Sequence, residues 1–172
     1  MATESKGPLS HYLAGGILGL IMVVYSVVLS VIGETMNRTL ANVSYLLLLA
    51  GIIYIVIQYA KSVDHDTTFG KLFSYGMKVS ALVTVIILVY SIVYFQIFPD
   101  TKEMIFDKMR EEMIKQGQVS DEQIDQSVTF MRKYFNVFFI GGGIFMTMIM
   151  GLIGSLIGAA VAKKNPSTPF QG

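Results

Sequence analysis

Residues 135–164 read FNVFFIGGGIFMTMIMGLIGSLIGAAVAKK, and this stretch decides the class of fold. From Phe135 to Ala162 it carries no charge, and it stops at Lys163-Lys164. About 28 residues of helix extend roughly 42 Å, enough to cross a hydrocarbon core of ~30 Å. That core offers no water to backbone N–H and C=O groups, so such a run must bond them internally, as a helix does. Its small residues are arranged as well as abundant. Gly143, Thr147, Gly151, Ser155 and Ala159 recur every fourth position along one stripe, and Gly154 with Gly158 makes a G-x-x-x-G pair slightly around the helix. Helices in lipid gain little by excluding apolar surface from water, so close approach through small residues is their means of association.

Three further apolar runs lie upstream. Residues 73–98 stop at Pro99 and contain one charge, Lys78, near enough to the start to snorkel toward the headgroups. Residues 43–60 are near the lower limit of about 17 residues for a span. Residues 12–33 contain no charge and carry their own small pair, Gly15 and Gly19, followed by Ser26 and Ser30. This first run is too long for a signal-peptide core, and no A-x-A cleavage pattern follows it, so a retained helix is expected. Four spans put both termini on one side. The expected fold is all-α: a polytopic membrane protein of four transmembrane helices packed as a bundle, in a single domain.

Composition agrees. Of 172 residues, 53% are hydrophobic and 15% charged, against roughly 25% charged in a soluble domain. The formal net charge of +1 gives no basic excess for nucleic acid. Cysteine is absent, which excludes disulfides, thiolate metal sites and a cysteine nucleophile.

The one sizeable hydrophilic segment, residues 100–134, reads as a helical hairpin outside the membrane. Asp100 with Glu103 resembles a capping box, and Ile105, Met109 and Met113 then repeat at helical spacing up to Gly117, a C-cap candidate. Ser120 with Gln123 opens a second helix whose apolar face is Ile124, Val128, Met131 and Phe135. That helix is expected to run unbroken into the fourth span. The two apolar faces must meet each other, the membrane surface or a partner.

The remaining signals are weaker. Positive charges divide almost evenly between the two sides, Lys6, Lys61, Lys71, Lys78, Lys163 and Lys164 against Arg38, Lys102, Lys108, Arg110, Lys115, Arg132 and Lys133. The Lys163-Lys164 pair abuts a span and favours cytoplasmic termini. Asp64-His65-Asp66, with His11 at the same-side end of the first helix, offers ligand atoms but reads as a solvated turn, with Thr67 or Thr68 capping the next helix. Val24-Tyr25-Ser26-Val27-Val28 echoes Val89-Tyr90-Ser91-Ile92-Val93, a match that apolar alphabets produce by chance. No phosphate loop, G-x-S-x-G or H-E-x-x-H motif is present, so no catalytic, cofactor or metal residue is assigned and no enzyme is expected.

Gly15 and Gly19, Tyr25-Ser26, Thr68-Phe69-Gly70, Phe98-Pro99-Asp100 and the small-residue fourth span ending in Lys163-Lys164 together resemble the four-helix bacterial membrane family known as domain of unknown function 4199, found largely in Bacteroidota. The resemblance runs from about Leu13 to Lys164. It implies a bacterial inner membrane and no functional residues. The candidate residues are therefore those for helix packing: Gly15, Gly19, Gly143, Thr147, Gly151, Gly154, Ser155 and Gly158. They serve packing within one chain, packing between chains as in a homo-oligomer, or a glycine-lined substrate path. The expected role is a non-enzymatic component that meets the lipid bilayer and a membrane protein partner through its helices and hairpin. The alternative is a small oligomeric transporter or channel subunit, although no ionisable group lies at a span centre.

Overall fold

A computed structural model describes residues 8–117 and 119–162; Lys6, Lys163 and Lys164, which bear on the expected topology, lie outside them. The described residues form six helices and no strand: α1 (His11–Val31), α2 (Arg38–Ser62), α3 (Phe69–Ile97), α4 (Asp100–Gln116), α5 (Asp121–Lys133) and α6 (Phe135–Val161). Of these, α1, α2, α3 and α6 are long and apolar enough to cross a membrane.

Local chemistry sets the helix ends. Ser10 caps α1 by accepting from the Leu13 N–H at 3.3 Å. At the other end Gly33 takes φ +75°, and the Glu34 and Gly33 N–H groups bond the carbonyls of Leu29 and Ser30, a Schellman close. The helix thus stops two residues short of the apolar run. Asn37 caps α2 through bonds from Thr39 and Leu40. This adds Arg38 and the polar turn after it, making α2 a helix of 25 residues rather than the short span expected from residues 43–60. Thr68, the second of the two threonine candidates, accepts from the Lys71 N–H and starts α3.

The chain divides into two compact units. Among the described residues, one comprises residues 8–87 and 146–162, the other lies within residues 88–145. In the first, the pattern of close contacts fixes the helix directions. Gly15 lies against Leu82 and Gly19 against Ile86, so α1 and α3 run the same way. Gly151 lies against Ser80 and Ser155 against Gly76, so α6 runs opposite to α3. Gly154 meets Ile52 and Gly158 meets Val56, so α6 follows α2. Gly51 meets Leu18, and the Tyr25 hydroxyl donates to the Leu40 carbonyl at 2.9 Å, which ties α2 antiparallel to α1. The core of this unit is Leu48, Ile52, Val56, Leu72, Val79 and Val83, all fully buried, with Ala14, Ala60 and Ala159.

The second unit holds the end of α3, the α4–α5 hairpin and the start of α6. The expected apolar faces close on each other: Phe106, Ile124, Val128 and Phe135 are buried, with Ile105, Met109, Met113 and Met131 packed around them. Gly117 ends α4 in the left-handed region at φ +62°, and Ser120 with Gln123 forms a full capping box on α5. Two local expectations are corrected. Pro99, not Asp100, occupies the N-cap of α4, and no side chain caps it. Asp100 and Glu103 fall inside the first turn, where their charge favours the positive end of the helix, and the Glu103 carboxylate turns to Arg132 at 2.6 Å. The helix from α5 into α6 is also broken, because Tyr134 leaves helical geometry at φ −109°, ψ 18°.

Candidate functional site

The small-residue candidates divide by what surrounds them. A methyl group added at Gly19 would meet Ile86 Cδ1 at 2.6 Å, and one at Gly15 would meet Leu82 Cδ2 at 3.0 Å. At Gly151 it would meet Ser80 Cβ at 2.5 Å, at Gly154 Ile52 Cβ at 3.1 Å, and at Gly158 Val56 Cβ at 2.9 Å. Thr147 and Ser155 are buried on the same side of α6. These residues are spacers that let α1, α2, α3 and α6 approach closely. Gly143 stands apart: it is exposed, and a methyl group there meets no heavy atom within 4 Å.

Buried hydroxyls line the same contacts. Ser80 donates to the Gly76 carbonyl at 2.9 Å and Thr84 to the Ser80 carbonyl at 2.8 Å, each within its own helix. Ser155 Oγ is buried with no hydrogen-bond partner. The turn Asp64-His65-Asp66 follows the end of α2. The Asp64 and His65 N–H groups bond the carbonyls of Lys61 and Ala60, with φ at +50° and +61°, so the residues form a Schellman close. Among the described residues, no three histidine, aspartate or glutamate side chains stand where they could hold a metal together.

One cavity gathers polar side chains in the first unit. It has a volume of about 490 Å³ and lies where α1 and α3 begin and α2 ends. Its wall includes Ser10, His11, Tyr59, Lys71, Ser74, Tyr75 and Lys78. The Tyr59 and Tyr75 rings stack at 3.9 Å, and the Tyr75 hydroxyl donates to the Leu9 carbonyl at 2.8 Å, tying the chain before α1 to α3. His11, Lys71 and Lys78 each stand out in the sequence, for ligand atoms or for charge, but not as one site. The available signal was the spacing of Lys71, Ser74 and Lys78, which places them one above another on a helix.

The second unit is held by charge and aromatic contacts. Arg132 pairs with Glu103 and lies 4.8 Å over the Phe106 ring, while Arg110 pairs with Asp125 across the hairpin. Phe95 packs edge-on to Phe135 and Phe139, and the Lys102 ammonium lies over both Phe95 and Phe135. A smaller pocket of about 270 Å³ beside them is walled mainly by Ile92, Phe95, Phe135, Phe139 and Ile140.

The spans are apolar on both their inner and their outer faces. Large apolar residues with glycine, alanine and serine fill the inside, and Tyr12, Leu20, Val31, Leu46, Tyr54, Val89 and Phe145 stand exposed outside. So much exposed apolar surface suits lipid and not water. These features define a multi-pass helical membrane protein. The chain matches the family described as protein of unknown function DUF4199 over residues 13–164, and it belongs to that family. Comparison with curated proteins and with solved structures gave no match.

Proposed function

We propose that the protein is a non-enzymatic component of the bacterial inner membrane, with both termini cytoplasmic, whose spans form a closed four-helix bundle and whose α4–α5 hairpin engages a membrane protein partner. The observation that carries this reading is the division of apolar residues within the hairpin. Its inner faces close on Phe106, Ile124 and Val128, so these faces are already covered within the chain. Met104, Ile114 and Phe130 nevertheless stay 57%, 53% and 53% exposed on helices that are otherwise polar. The spans support an anchor rather than a conduit, because their inner faces are filled by spacers against large side chains.

Photo-crosslinking side chains placed at Ile114 and Phe130 in the full chain test this, with lipid-facing Val28 as control. A protein-sized adduct at the hairpin positions and only lipid adducts at Val28 is the expected result. Lipid adducts alone at all three positions would remove the reading. The transporter or channel alternative draws on one observation, the buried Ser155 Oγ without a partner, a group a passing solute could engage. Solute or ion flux into proteoliposomes, above that of protein-free vesicles, would favour it.

A further inference from the structure

We propose that the cavity at the start of α1 and α3 binds a phosphate ester anion, the group shared by an anionic phospholipid headgroup and a soluble phosphate. Its lining residues bring two lysines and a histidine together with no carboxylate. Neither Lys71 nor Lys78 is in any of the three ion pairs found among the described residues, Arg110–Asp125, Lys115–Glu111 and Arg132–Glu103. Lys78 is the informative one. It is the only charged residue between Lys71 and Asp100, and it sits inside a helix built to cross the membrane. A charge at that position costs solvation unless it reaches the headgroups or meets a counter-charge, and Lys78, an exposed residue, forms part of the wall of this cavity.

The surroundings suit phosphate oxygens. Lys71, Ser74 and Lys78 stack along one face of α3 and supply two cations and a hydroxyl donor. The Tyr75–Leu9 bond holds the chain before α1 against α3, and Ser10 and His11 enter the wall as a result. The Ser10 side chain serves the Leu13 N–H, and the α1 N-terminus, whose residues Ser10 and His11 are in the wall, carries the positive end of the helix dipole. The stacked Tyr59 and Tyr75 rings form a rigid apolar side. Exposed Tyr12, Leu13 and Phe69 nearby in sequence offer surface for an acyl chain. The site uses no residue of the hairpin, so this proposal and the partner reading fail separately.

The test is native mass spectrometry of the full chain in detergent containing equal phosphatidylglycerol and phosphatidylcholine. Each lysine near an anionic lipid contributes roughly a fivefold preference, so the pair gives a preference of roughly thirtyfold for phosphatidylglycerol. The Lys71→Gln/Lys78→Gln double variant is expected to fall to near parity. Lys71→Arg/Lys78→Arg and Lys61→Gln, the latter outside the cavity wall, should keep the preference. Should the double variant fail to fold, Lys71→Gln alone, at an exposed position, should still lose roughly fivefold. A parallel titration with inorganic phosphate separates the sources. Retained phosphatidylglycerol that phosphate does not displace identifies a lipid site, and thermal stabilisation by phosphate without lipid preference identifies a soluble one. An equal response of wild type and the glutamine variants in both arms would overturn the proposal.

Discussion

Gly76 is the position at which close packing of the spans can be tested most directly. A methyl group added there meets Ser155 Cβ at 2.8 Å and Val56 Cγ2 at 2.9 Å, with Ser155 Oγ closer still. Ordinary contact begins near 3.4 Å, so α3 must move away from α6 and α2 by about 0.6 Å or distort a buried rotamer. Ser155 and Val56 are both fully buried, which leaves them little room to yield. Overpacking of this kind costs about 1–3 kcal/mol, while replacing glycine by alanine inside a helix returns up to about 1 kcal/mol. Gly76→Ala should therefore be up to about 2 kcal/mol less stable than wild type, and about 1–3 kcal/mol less stable than a glycine-to-alanine change at an open helical position. Gly16→Ala is the control, because nothing lies within 4 Å of a methyl group there and only the propensity gain remains. The assay is loss of helicity on titrating SDS into mixed micelles, with both variants in the same detergent. Adding Ser155→Gly to Gly76→Ala should recover part of the loss, the Val56 contact keeping the rest. Equal stability of Gly76→Ala and Gly16→Ala would refute the close approach of α3 to α6.

Two predictions concern the hairpin, each read by amide hydrogen exchange. Arg132→Ala should loosen α4 and α5 by about 1 kcal/mol, since it loses both a half-exposed ion pair with Glu103 and the contact over Phe106. Glu103→Ala should cost only about half of that, and its effect should vanish at 1 M salt, whereas part of the Arg132 effect should persist. Ser120→Ala removes the cap that serves the Gln123 N–H and should raise exchange over the first turn of α5, by about 1 kcal/mol of local stability, while leaving α4 unchanged.

The fold was largely legible because each deciding signal is local. Run length between charges marks the spans, and Gly117 and the Ser120–Gln123 pair mark the hairpin ends, since each device acts within four residues. The errors also have local causes. Hydropathy began the second span at Val43, but Asn37 carries the helix back through polar residues that no apolar pattern would include. The Asp100–Glu103 spacing suggests a capping box, but α4 begins one residue earlier than that box requires, so Pro99 takes the cap position and both acids fall in the first turn. The lysine-lined cavity was hidden for a different reason. Tyr59, Tyr75 and His11 come from three helices, and Tyr75 binds the Leu9 carbonyl across 66 residues, a pairing that no periodicity announces.

The glycines show most clearly what spacing can and cannot decide. Gly143, Thr147, Gly151 and Ser155 share one stripe by arithmetic, yet the last three are buried and Gly143 is exposed. The difference lies in the neighbours. Opposite Gly151, Gly154 and Gly158 stand Ser80, Ile52 and Val56, and a larger residue at those glycines would push the helices apart. Gly141 and Gly142 adjoin Gly143 in the run and, like it, meet no heavy atom within 4 Å. A glycine inside a helix costs about 1 kcal/mol relative to alanine, so the three together weaken this turn of α6 with no packing contact at Cβ in return. The stripe therefore contains two kinds of position with one composition. Those in residues 147–158 let the spans approach, and Gly143, with Gly141 and Gly142 beside it, has room for a larger side chain.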